Sequence, residues 1–201
     1  MDLGNCGSYW AHGLATALSE RICIKKGTEL ILSTQDPVSC DFEDYACDGG
    51  YLDTAWAYAE HTGLVTDSCF PYQSMEGKVP PCPKRCRNND EWIKYKCQHN
   101  SVFDFKSIEL KKNEIMNNGP IQNALAIYED LLAYQDGIYQ HLSGTFLGFH
   151  STTIVGWGKK NQINYWILAN SWGEKWGENG YLRIKVGECL VDQDGYGCTP
   201  S

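Results

Sequence analysis

The stretch Asp2-Leu3-Gly4-Asn5-Cys6-Gly7-Ser8-Tyr9-Trp10-Ala11, followed by 12–26, decides how this chain is read. From Ser8 onward Trp10, Leu14, Leu18 and Ile22 recur every four positions, which predicts a helix with one buried stripe. Gly27 is placed to end it in a left-handed conformation. A second helix is predicted over 51–60, between Gly49-Gly50 and Gly63. The segment 69–89 differs: it carries four prolines, three cysteines and several charges without periodicity, and reads as a long surface loop held by disulfides.

Strand character appears further along. Ser107 can cap a short helix to Asn118, which Gly119-Pro120 breaks. Segments 121–127, 151–157, 164–170 and 180–186 are rich in Ile, Val, Leu, Tyr and Trp, with Lys159-Lys160-Asn161-Gln162 as a hairpin loop between two of them. The organisation is α+β: a helical lobe over about 1–106 and an antiparallel β lobe over 107–201 in one domain, with a cleft between the lobes as the expected ligand site.

Composition narrows the function. The 201 residues carry 17 basic and 25 acidic side chains, a formal net charge of −8, and no basic cluster beyond Lys84-Arg85-Cys86-Arg87, so nucleic acid is not an expected partner. No apolar run approaches the ~20 residues of a membrane-spanning helix. Ten cysteines without any C-x-x-C pair favour disulfides over metal, hence an oxidising compartment: the secretory pathway, a lysosome or vacuole, or the cell exterior. The opening residues have neither a basic nor an apolar leader region, so the expectation is a chain lacking its natural start.

Three ordered segments carry a family resemblance. They are Asn5-Cys6-Gly7-Ser8-Tyr9-Trp10, then Gly148-Phe149-His150 with Ile154-Val155-Gly156-Trp157-Gly158, then Asn170-Ser171-Trp172-Gly173 with Trp176-Gly177-Glu178-Asn179-Gly180-Tyr181. With Cys40, Cys47-Asp48-Gly49-Gly50 and Phe70-Pro71-Tyr72 between them, the chain resembles the papain family of cysteine peptidases along nearly its whole length. Glu20-Arg21-Ile22-Cys23-Ile24, Asn118-Gly119-Pro120 and Asp136-Gly137-Ile138-Tyr139 point to its cathepsin B-like branch. The resemblance implies a papain-like two-lobe fold. It also implies His150 and Asn170 as the imidazole and its orienting amide, with Trp172 shielding them and Gly49 and Gly50 pairing with an extended peptide as a strand would. Asp194 falls near the acidic residue of the main specificity pocket. The implied disulfides are Cys6–Cys47, Cys40–Cys82 and Cys69–Cys86. Cys23 matches a cysteine whose partner lies upstream, and Cys97, Cys189 and Cys198 have no assigned partner, a Cys189–Cys198 bond being one option. No cofactor or metal is implied.

The same comparison puts Tyr9 at the nucleophile's position and Leu3 at that of the oxyanion glutamine. A phenol has an ordinary pKa of about 10 against about 8.5 for a thiol, and its oxygen stands a ring further from the backbone. Losing one oxyanion donor costs roughly 10²–10³ in rate, and losing a nucleophile about as much as losing a triad. Three readings follow: a silent homologue that binds peptides or proteins, an active cysteine peptidase in which another residue serves, and a scaffold subunit. Cys6 is the nearest substitute, but only if its disulfide were absent. In the cathepsin B-like branch a loop with paired histidines binds the substrate's C-terminal carboxylate. The corresponding loop between Cys69 and Cys82 is short and contains no histidine, so the resemblance implies that an active form would be an endopeptidase. His12, His61, His99 and His141, and Trp56, Trp92, Trp157 and Trp166, read as structural.

Overall fold

The computed structural model describes residues 2–201. Helix α1 (Tyr9–Lys26) ends at Gly27, whose φ of 65° is left-handed and whose N–H donates to the Cys23 carbonyl. It is buried on most of its circumference, more than a single stripe would require. The reason is its place between two layers: α2 (Gln35–Cys40) and α3 (Leu52–His61) pack on one side, and the sheet on the other. Small residues permit this, and a Cβ at Gly13 would meet the Gln122 amide at 2.6 Å. Buried Gln122 ties the layers together, donating to the Trp10 carbonyl and to Ser151 Oγ while accepting from Trp56 Nε1.

Helix α4 (Ile108–Asn118) is capped by Ser107, whose hydroxyl accepts from Leu110 N–H. The last helix is the single turn α5 (Glu129–Leu132). Seven strands make one sheet: β1 (Phe103–Asp104), β2 (Ile121–Tyr128), β3 (Ile138–Tyr139), β4 (Phe146–Lys160), β5 (Ile163–Ala169), β6 (Tyr181–Lys185) and β7 (Tyr196–Gly197), in the order β1-β7-β2-β4-β5-β6-β3. All pairings are antiparallel except β3 with β6. Strand β4 starts five residues before the predicted 151 because Phe146 and Gly148–His150 continue the ladder with β2, setting His150 opposite Leu125. The β4–β5 hairpin needs only two turn residues, Asn161 and Gln162, both with positive φ. The fold is papain-like and α+β, as the sequence predicts. The short elements α2, α5, β1, β3 and β7 were not anticipated.

All three disulfides implied by the resemblance are present, Cys6–Cys47, Cys40–Cys82 and Cys69–Cys86, and the last two staple the irregular loop 69–89. The Cys189–Cys198 option is corrected: Cys198 is bonded to Cys97, and Cys23 and Cys189 are free thiols. The chain end explains this. It crosses back to the helical lobe, where Cys97 bridges Pro200 and Gln98 N–H donates to the Thr199 carbonyl. Cys198 therefore joins the core around α1, whereas Cys189 packs with the sheet core beside Tyr139.

Candidate active site

The N-terminus of α1 meets the middle of β4 and the end of β5 at the boundary between the two cores. Tyr9, the first residue of α1, is half-buried and presents its ring edge to His150 at a centroid distance of 5.6 Å. His150 Nε2 lies 2.8 Å from Asn170 Oδ1, which also accepts the Ser171 N–H. Trp172 covers this contact, its ring 5.0 Å from His150, and Trp176 packs against Trp172 at 4.8 Å. Tyr9, His150, Asn170 and Trp172 thus converge although 161–163 residues separate the first from the last two.

His150 is only 5% exposed, and burial lowers its pKa to about 4 against the raising effect of the Asn170 hydrogen bond. The imidazole is neutral over most of the physiological range, which leaves it able to accept a proton. We expect an NMR titration to find His150 protonating near pH 4. Asn170→Ala should move that midpoint lower still, and a midpoint near 6.5 in either protein would contradict the burial argument.

Leu3 sits beside the site because Asp2 bridges Trp172 and Leu3 N–H donates to the Ser171 carbonyl at 3.2 Å. Its carbonyl accepts from Tyr72 OH, which also contacts Ser8 Oγ at 2.7 Å. Leu3 therefore presents an alkyl side chain and an N–H already committed. The only cysteine in the opening stretch, Cys6, is buried and tied to Cys47. Gly49 has φ 109°, and a Cβ there would meet the Tyr9 hydroxyl at 2.9 Å, so the phenol reaches the glycine wall across the cleft floor.

On that side lies a cavity of about 370 Å³, lined among others by Tyr9, Gly50, Tyr51, His150, Leu190 and Asp194. Asp194 is at its edge, but its carboxylate is 3.0 Å from Lys106, and its carbonyl accepts from the buried Lys111 at 2.6 Å. Sequence patterns missed Ala124, Leu125, Gln193 and Tyr196 in this lining, because they come from segments remote from the family motifs and form no motif of their own. His12 is buried, with Nδ1 3.0 Å from the Ser8 carbonyl, and burial lowers its pKa to about 4; packing explains it. His61, His99 and His141 lie outside the site and outside the strands: His99 pairs with Glu60, and His141 stacks on Tyr128. Among the described residues, no group of three or more His, Cys, Asp or Glu side chains is arranged to hold a metal ion.

A family model described as papain family cysteine protease matches residues 1–198. The chain belongs to the papain family of cysteine proteases. Within it, cathepsin B of Dictyostelium discoideum is 34% identical over 202 residues, covering 94% of this chain and 65% of that protein. Cathepsin B-like CP3 of Giardia intestinalis is 37% identical over 202 residues, covering 96% of this chain and 67% of that protein. The solved structure of proCathepsin B S9 from Trypanosoma congolense superposes with a TM-score of 0.93 at 33% identity, covering all of this chain and 71% of that one. The chain spans about two thirds of the length of the curated relatives it matches. It is a cathepsin B-like papain-family homologue. That kinship and the four disulfides fit a secretory or lysosomal protein, and among the described residues no helix is long and apolar enough to cross a membrane.

Proposed function

We propose that this papain-family homologue is catalytically silent and acts by binding extended peptides or protein segments in the cleft between its lobes. One observation carries the reading: the group that faces His150 from the start of α1 is a phenol whose hydroxyl abuts the Gly49 wall. In the family that place belongs to a thiol, which a neighbouring imidazole and the helix N-terminus readily deprotonate. Here the aromatic alcohol leaves His150 and Asn170 with nothing to activate, and Leu3 offers no side-chain donor where an oxyanion would form. The two free thiols are no substitute, since neither Cys23 nor Cys189 lines the cavity beside Tyr9.

Binding survives the loss of chemistry. Strand-like pairing along Gly49–Gly50 uses backbone groups, Trp172 and the apolar cavity supply contact area, and Asp194 at the cavity edge would receive a basic side chain of the ligand only by exchanging its present partner Lys106. Because Tyr9 reaches across the floor, affinity in the unaltered protein should be weak. Isothermal titration with pooled peptides is expected to show binding that tightens roughly tenfold in Tyr9→Gly, about 1.4 kcal/mol. If neither protein takes up peptide, the cleft is not the functional surface and the scaffold reading replaces this one.

The intact His150–Asn170–Trp172 arrangement favours a second reading, an active cysteine endopeptidase. A thiol-reactive affinity probe separates the two: covalent labelling in the cleft would establish the peptidase, and no labelling is expected.

A further inference from the structure

Behind the glycine wall, Asp41 directly follows α2 and Asp44 lies three residues on; they are 7% and 8% exposed. One oxygen of each is well served. Asp41 Oδ1 accepts from Glu43 N–H, and Asp44 Oδ1 accepts from Tyr51 N–H at 2.8 Å and Thr54 Oγ1 at 2.9 Å. The other oxygen of each, Oδ2, is buried without a partner. The like charge of Asp44 acts on Asp41, and two ionised carboxylates have no hydrogen to share. A buried acceptor left bare is costly, and a pair left bare side by side is costlier because like charges repel.

We propose that Asp41 and Asp44 hold one proton between them in acidic solution, lose it as the pH rises, and through it brace the Gly49–Gly50 wall of the cleft. A proton fits where a metal does not, since two orphan oxygens fall well short of the roughly six to eight that calcium takes. Among the described residues, neither carboxyl has an ion-pair partner. Glu43 and Asp53, the other charged groups acting on the pair, are both acidic. From α3 the pair also meets neutral Tyr58, with His61 on the rim of the same depression. Asp36 of α2 is acidic too, and Lys94 is spent on it at 2.7 Å. Burial raises both carboxyls, Asp41 to about 6. The link to the cleft is direct: Asp44 Oδ1 holds Tyr51 N–H, and a Cβ at Gly50 would lie 2.8 Å from that oxygen. That this wall receives a peptide rests on the function proposed above; the proton itself does not.

A carboxyl whose folded pKa is raised stabilises the fold most at low pH, and that contribution is lost between about pH 4 and about pH 6. Buried His12 and His150 pull the opposite way over much of this window, so the informative quantity is the difference between variant and parent. Asp44→Asn keeps the Oδ1 contacts and supplies its own N–H to Asp41. Its unfolding constant relative to the parent should fall by roughly 10–100-fold between pH 4.5 and pH 7.5. A pH-independent difference would overturn the shared proton. If Asp44→Asn does not fold, a carbon-13 carboxyl titration of the unaltered protein decides instead: two aspartates titrating together above the ordinary aspartate range support the pair, and independent titration or titration within that range refutes it. The brace is read from the hydrogen-exchange protection factor of the Tyr51 amide, which should drop severalfold from pH 5 to pH 7.5 in the parent. An unchanged factor would refute the brace. Neither measurement requires peptide, so its outcome is separate from that of the binding reading.

Discussion

Tyr9→Cys combined with Leu3→Gln is expected to turn this protein into a thiol-dependent peptidase, with kcat/KM on a fluorogenic dipeptide rising by at least about 10⁴-fold over the unaltered protein. The substitution places sulfur at the first residue of an 18-residue helix, where the positive end of the helix dipole favours a thiolate. It also places it before an imidazole already held at 2.8 Å by Asn170 and covered by Trp172. Glutamine at position 3 would add the missing donor. Iodoacetamide should abolish the turnover. Two results would count against the account: hydrolysis by the unaltered protein that iodoacetamide stops, or an inert double variant that still folds. The first would mean a functional thiol has been overlooked. The second would mean the cleft has changed in more than these two residues.

Arg21→Met should cost about 3–5 kcal/mol of stability, on the order of 10 °C in melting temperature, although position 21 lies far from the cleft. Arg21 is 1% exposed, and its guanidinium donates four hydrogen bonds. Nε donates to the Cys198 carbonyl, Nη1 to the carbonyls of Gly119 and Pro120, and Nη2 to Glu114. One side chain therefore joins α1, the end of α4 and the returning chain terminus. Methionine fills similar volume but leaves three backbone carbonyls without their donor and takes the guanidinium away from Glu114. Urea or thermal unfolding checks this, and a loss below about 1 kcal/mol would show that the network relaxes onto other donors.

The main helices and long strands of this fold were legible because their signals are local. The four-residue spacing of Trp10, Leu14, Leu18 and Ile22, the serine cap at 107 and the β-branched runs each report on a few neighbours. The short elements were not legible: β1 and β7 are two residues each and exist only through pairing with remote segments, β1 with β7 and β7 with β2. The same holds for Lys111, which lies on a charged helix and is nonetheless that helix's one buried residue, since it reaches carbonyls about 80 positions away.

For the site, it was the resemblance to the papain family that nominated Tyr9, His150, Asn170, Trp172, Gly49 and Leu3, because each stands inside or beside a short motif that the family shares. Only the folded chain decided how they meet. That Tyr9 crosses to Gly49, that Asp194 is held by Lys106 and that Cys198 pairs with Cys97 all depend on distances between segments remote in sequence. Periodicity records which face of an element is buried, not what it is buried against; the partner is chosen by packing, and with it the chemistry of the cleft.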